Sequence, residues 1–141
     1  LYKSHAPRGS DEIFTRISGR LKGVIMKTIL LVDDDESIQL LYREEFKEAG
    51  FKVVSVYNGS EALNIFKEVS PDLVILDIQM PGLNGIEVLR QIKMVDSSMP
   101  VILNSAYQEF KQDLGAWASD EYVVKSSDIG ELMAAVQKHI G

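Results

Sequence analysis

From residue 28 onward the chain repeats one pattern five times: a short aliphatic run, a polar or glycine-containing junction, then helical periodicity. The strands are predicted within "TILLV" (28–32), "FKVVSVY" (51–57), "DLVILDI" (72–78), "PVILNSA" (100–106) and "EYVVK" (121–125). The first, third and fourth runs are apolar on both faces, and a strand without a polar face has to be covered on both sides. A parallel sheet between two helical layers meets that requirement, and successive βα units with right-handed crossovers build it. The fold class expected is a doubly wound α/β sandwich with a five-stranded parallel sheet and helices on both faces.

The intervening helices are expected over 37–50, 59–69, 85–95, a short stretch of 108–117, and 128–140. In the first, Ile38, Leu41, Phe46 and Ala49 are expected to face inward, with Gly50 closing its C-terminus. In the second, Ala62, Leu63, Ile65 and Phe66 supply the buried side, and Pro71 prevents continuation. Ser126, Ser127 or Asp128 is expected to cap the last.

Residues 1–25 do not share the pattern. "PRGS" resembles the scar of a cleavable tag, and Met26 reads as a natural start. Yet Ile13, Phe14, Ile17, Leu21 and Val24 fall on one helical face, with Ser10 as an N-cap and Arg20 and Lys22 near the end. The segment therefore reads either as an artificial linker or as a fused amphipathic peptide, with the folded domain at 26–141.

The chain has no cysteine, which excludes disulfides, thiolate metal sites and thiol catalysis. A formal net charge of −6 argues against a nucleic-acid surface, which normally carries a basic stripe. No apolar run approaches the roughly 18 residues of a membrane span and no secretory signal is visible, so a cytoplasmic location is expected.

In sheets of this class, ligands bind beyond the carboxyl ends of the strands. There the chain delivers Asp33, Asp34 and Asp35 after the first strand, Asp77 after the third, Ser105 after the fourth and Lys125 after the fifth. Each has an ordinary explanation alone: Asp34 or Asp35 as a helix cap, Ser105 as a turn residue, Lys125 as a solvated lysine. Their convergence is harder to explain that way. Two carboxylates about 4 Å apart repel by roughly 1 kcal/mol in water and about 4 kcal/mol at an effective dielectric near 20. A cation relieves that repulsion, and acids from two adjacent strands make a hard-oxygen site suited to Mg2+. A further carboxylate beside the ion is placed as a nucleophile toward phosphorus, with the lysine and the hydroxyl available to the phosphoryl oxygens.

"LVDDD", "LVILDIQMPGLNG", "VILNSA" and "YVVK", in this order, resemble the receiver domain of bacterial two-component response regulators, of the single-domain, chemotaxis-regulator-like kind, over residues 27–140. The resemblance implies a flavodoxin-like fold with strand order 2-1-3-4-5. It implies Asp77 as the phosphoacceptor, and Asp33, Asp34, Asp77 and the backbone carbonyl of Gln79 as ligands of Mg2+. It also implies Ser105 as the switch hydroxyl, Tyr122 as the switch aromatic and Lys125 as the phosphate-contacting lysine. The function implied is a signalling switch that takes a phosphoryl group from a histidine kinase or phosphotransfer protein. Such a domain is no enzyme toward outside substrates, although it takes part in its own phosphorylation and autodephosphorylation. Its downstream protein target would be met through helix 4, strand 5 and helix 5, without nucleic acid or membrane. With no output domain after residue 141, the chain reads as a single-domain regulator or a receiver cut from a longer protein.

Two features depart from the family pattern. Ser126 stands where proline usually follows the lysine, often after a cis bond. A cis bond before a non-proline residue costs about 2.5–4 kcal/mol, so a trans bond or a strained exception is expected. The stretch from Ser105 to Lys125 is also short, which predicts a short or shifted fourth helix. Gln79 and Tyr107 occupy positions that, by the resemblance, tune hydrolysis of the phosphoaspartate, and a bulky Tyr107 is expected to hinder the attacking water.

Other functions fit less well. A Mg2+-dependent phosphotransferase or hydrolase acting on an external substrate needs a cap to exclude water, and no insertion is long enough. A flavin or nucleotide module needs a glycine-rich phosphate loop after the first strand, where "DDDES" repels phosphate instead. An engineered or pseudo-receiver scaffold presenting the N-terminal peptide stands as the alternative to the switch.

Overall fold

The computed structural model describes residues 26–80, 84–106 and 119–141. The N-terminal segment 1–25, the turn at Pro81 and Gly82, Tyr107 and the short helix expected over 108–117 lie outside the described residues. The described elements run β1 (Thr28–Val32), α1 (Glu36–Glu48), β2 (Lys52–Val56), α2 (Gly59–Val69), β3 (Leu73–Leu76), α3 (Gly85–Val95), β4 (Val101–Ser105), β5 (Glu121–Val124) and α4 (Gly130–Ile140). The final helix, α4, is the fifth of those expected from the sequence.

The strands form one sheet in the order β2-β1-β3-β4-β5, and every neighbouring pair is parallel. Every residue of β1, β3 and β4 is buried, as strands apolar on both faces require. Side chains alternate between two cores with the period of two that a strand imposes. Leu30, Val32, Val74, Leu76, Val101 and Leu103 face α2 and α3, meeting Ala62, Phe66, Val88, Leu89 and Ile92. Ile29, Leu31, Leu73, Ile75 and Ile102 face α1 and α4, meeting Tyr42, Phe46, Leu132, Ala135 and Val136. Full burial of each such side chain contributes about 1.5–3 kcal/mol.

Local chemistry ends the elements where the site needs them to end. Asp35 caps α1, its carboxylate accepting from the N–H groups of Ser37 (2.8 Å) and Ile38 (3.3 Å). At the other end Gly50 adopts φ +98°, its N–H donating to Lys47 and that of Phe51 to Phe46, both at 3.0 Å. This is a Schellman turn, and the Phe46 and Phe51 rings supply its apolar contact, edge to face at 6.3 Å. The N-cap position of α4 falls instead on Ile129, which has no side-chain cap, although Asp128 just before it accepts from the Gly130 N–H at 2.9 Å.

The buried stripe of α1 differs from the expected one. Gln39, Tyr42 and Phe46 face inward, Leu41 is 40% exposed, and Ala49 is exposed. The helix is turned so that an amide, rather than a second aliphatic, reaches the strand ends. There is no cis peptide bond among the described residues, so Lys125–Ser126 is trans, the first of the two outcomes expected for a chain lacking the proline.

Candidate functional site

The carboxyl ends of β1 and β3 are neighbours in the sheet, which brings the residues that follow them together. Asp33 leaves β1 with its N–H bonded to the Val56 carbonyl of β2 (3.1 Å), and Asp77 leaves β3 with its N–H bonded to the Val32 carbonyl of β1 (3.0 Å). Both carboxylates are buried, at 2% and 4% exposure, whereas Asp34 is exposed. One carboxylate oxygen from each of Asp33, Asp34 and Asp77 lies within 4.8 Å of the others. Asp35 is spent on the helix cap, which resolves the choice between it and Asp34.

Lys125 closes the group. Its main-chain N–H donates to the Ser105 carbonyl at 2.7 Å, which anchors it at the end of β5. From there the ammonium reaches Asp33 Oδ2 at 2.8 Å and Asp77 Oδ2 at 3.4 Å. The Gln79 N–H donates to Asp77 Oδ1 at 3.3 Å. The Ser126 substitution therefore leaves the lysine on the acids.

The charges do not balance: one ammonium serves two buried carboxylates, with a third acid at the rim. Burial, opposed by Lys125 and reinforced by Asp33, pushes the Asp77 carboxyl up to about 6. Burial alone would lower the Lys125 ammonium, but its hydrogen bond to Asp33 and the charges of Asp77 and Asp33 outweigh it and hold the group above its ordinary range. Clustered hard oxygens with surplus negative charge fit a divalent cation such as Mg2+.

Gly85 sets how closely the next loop passes. Its N–H donates to the Ile78 carbonyl at 3.0 Å, and a Cβ there would fall on the Asp77 carbonyl oxygen and 2.7 Å from the Ile78 Cα. Both obstacles are backbone, so the Asp77 segment itself has to move. Gly85→Ala is expected to cost about 3 kcal/mol of stability in urea unfolding.

Of the residues expected from the sequence, Asp33, Asp34, Asp77 and Lys125 are brought together. Ser105 is wholly buried at the end of β4, opposite Val124. Tyr122 is buried in the core that faces α2 and α3, and Gln79 is exposed beside Asp77. Three buried polar residues behind the site were not anticipated. Gln39 Nε2 donates to the carbonyls of Leu31 (3.1 Å), Asp33 (3.1 Å) and Val56 (2.8 Å). Asn104 Nδ2 donates to the Val123 carbonyl at 3.0 Å. Burial above all holds the Tyr42 hydroxyl above its usual range, with Lys125 opposing it. The available signal was a polar residue inside an apolar period: Gln39 at i, i+3, i+7 with Tyr42 and Phe46, and Asn104 within "VILNS".

A family profile described as the response regulator receiver domain matches residues 29–137. Sporulation initiation phosphotransferase F of Bacillus subtilis (strain 168) is 38% identical over 117 residues, spanning 79% of this chain and 92% of that protein. Regulatory protein AtoC of Escherichia coli (strain K12) is 35% identical over 112 residues, and the match takes in 78% of this chain but only 24% of AtoC. Among solved structures, response regulator protein TrrA of Thermotoga maritima in complex with Mg2+-BeF is 45% identical with a TM-score of 0.78. That match spans 82% of this chain and all 100% of TrrA. TrrA in complex with the histidine kinase ThkA matches with 44% identity and a TM-score of 0.77, spanning 82% of this chain and 100% of that one.

Proposed function

The chain belongs to the response regulator receiver domain family, and on that premise we propose that Asp77 is the phosphoacceptor of its phosphorylation-dependent switch. The observation that carries this reading is the pairing of Asp77 with Asp33 across one shared lysine, buried at the carboxyl edge of the sheet. Asp33, Asp34 and Asp77, with the Gln79 backbone carbonyl, would hold Mg2+. The ion supplies charge neutralisation for the phosphoryl oxygens.

An Asp77 carboxylate oxygen attacks phosphorus, a P–O bond forms, the P–N bond of a phosphohistidine breaks, and its electron pair stays on the imidazole. Lys125 follows the added negative charge onto the phosphoryl group and loosens from Asp33. Ser105 donates its hydroxyl to a phosphoryl oxygen, and Tyr122 repacks in the adjoining core, shifting an existing equilibrium between two states. Autodephosphorylation returns the switch when water attacks the phosphoaspartate. The histidine kinase bound to TrrA supports a kinase as donor here, and the surface around β5 and α4 would meet the downstream target in the cytoplasm. Among the described residues no helix is long and apolar enough to cross a membrane.

Beryllium fluoride mimics a phosphoryl group on a carboxylate, which makes it a test without a donor. In the presence of Mg2+, beryllium fluoride at 100 times its own dissociation constant is expected to raise the melting temperature by about 10 °C. An equal rise without Mg2+, or no rise at all, counts against the site.

A further inference from the structure

Asp33 is held at four points, and two of the holding groups, the Val56 carbonyl and the Gln39 amide, come from outside the acids and their lysine. Its N–H donates to the Val56 carbonyl (3.1 Å), its Oδ1 accepts from the Asp35 N–H (2.9 Å) and its Oδ2 from Lys125 (2.8 Å). The fourth point is its carbonyl oxygen, which accepts from Gln39 Nε2 at 3.1 Å. That nitrogen carries two protons and faces three carbonyls, Leu31, Asp33 and Val56, so one amide on α1 ties together the carboxyl ends of β1 and β2.

Gln39 is only 1% exposed, and its own Oε1 is buried with no hydrogen-bond partner among the described residues. A buried acceptor left unpaired is a net cost to the fold. A methionine would fill the same place in α1 without that cost, but it would donate nothing to Asp33. The side chain is thus poorly explained by packing and well explained by the peptide it fixes.

We propose that Gln39 is a positioning residue for the cation site, which locks the Asp33 peptide against β2 and so aims the Asp33 carboxylate at the metal. The inference rests on the reading of the acidic cluster as a Mg2+ site. Partners that orient a metal's ligands typically change its affinity by about 10- to 100-fold when removed.

The test measures Mg2+ affinity by calorimetry, together with the urea midpoint, for the whole chain, Gln39→Met and Phe46→Leu. Phe46 is a buried residue of the same helix that packs against Tyr42 and Phe51, so its truncation controls for general damage to α1. Gln39→Met is expected to bind Mg2+ about 10- to 100-fold more weakly, with only the modest loss in urea midpoint that follows from taking a donor away from the Asp33 carbonyl. Phe46→Leu is expected to lower the midpoint and keep the affinity. An unchanged affinity in Gln39→Met, or an equal loss in both variants, overturns the proposal. Should Gln39→Met not fold, the side-chain amide protons of Gln39 are followed by NMR in the unaltered chain during a Mg2+ titration. Resonances that move and saturate with the site support the proposal, and resonances that stay put overturn it. An unaltered chain that binds no Mg2+ overturns the site reading itself and this inference with it. Failure of the Gln39 role alone instead leaves Mg2+ binding intact in chain and variant alike.

Discussion

Asp77→Asn is expected to stabilise the metal-free protein at neutral pH by about 1–3 kcal/mol while removing its capacity to carry a phosphoryl group. The native Asp77 carboxyl keeps its proton to about pH 6, while in the unfolded chain it is released around its ordinary value of 3.8. Between those values the native state binds more protons than the unfolded state, so stability falls as pH rises from about 4 to 6 and levels off above. Asparagine has the shape of the protonated acid without its ionisation. Urea unfolding of both proteins from pH 4 to 8 should show the slope in the unaltered chain and its absence in the variant. A variant less stable at pH 7 would mean that the buried carboxylate is a net contributor to the fold, against its unbalanced setting. On the proposed site Mg2+ and the proton would compete for Asp77, so metal affinity is expected to weaken below about pH 6.

Lys125→Met carries the second large effect, in the opposite direction. The ammonium reaches both buried carboxylates, at 2.8 and 3.4 Å, and removing it leaves them facing each other. Breaking a buried ion pair from one side typically costs about 3–5 kcal/mol. The raised Lys125 group contributes its stability below its unfolded value and loses it only as pH climbs through a still higher native value, so the full loss applies at pH 7. Without the lysine Asp77 takes up a proton more readily, and the deficit should therefore be smaller at pH 5 than at pH 8. A pH-independent deficit would mean that Lys125 acts through its packed stem rather than its charge.

The sheet was readable because three strands apolar on both faces leave few arrangements other than a parallel sheet covered by helices. The site was readable for a related reason: once the strands are parallel, Asp33, Asp77, Ser105 and Lys125 all come to the same edge. Lys125 could be placed without the family's proline because its position comes from the Ser105 carbonyl and from electrostatic pull, neither of which depends on residue 126. Asp35 was one of two candidate caps. Their difference lies in backbone geometry, since Asp35 takes the extended N-cap conformation and Asp34 stays at the rim.

The orientation of α1 was less legible. Counting aliphatics predicted Leu41 and Ala49 inward, but the helix turns to bury Gln39. Its gain comes from carbonyls at the ends of β1 and β2, partners far away in sequence whose bonding needs no one-dimensional signal. Asn104 is hidden similarly. It follows three aliphatic residues in β4 and bonds across to Val123.

The most direct test of the switch is intact-mass analysis of the chain after incubation with acetyl phosphate and Mg2+, beside a chelator control and Asp77→Asn. A single added phosphoryl group is expected in the unaltered chain and in neither control. No adduct under any condition, or one that survives the loss of Asp77, would contradict Asp77 as the phosphoacceptor.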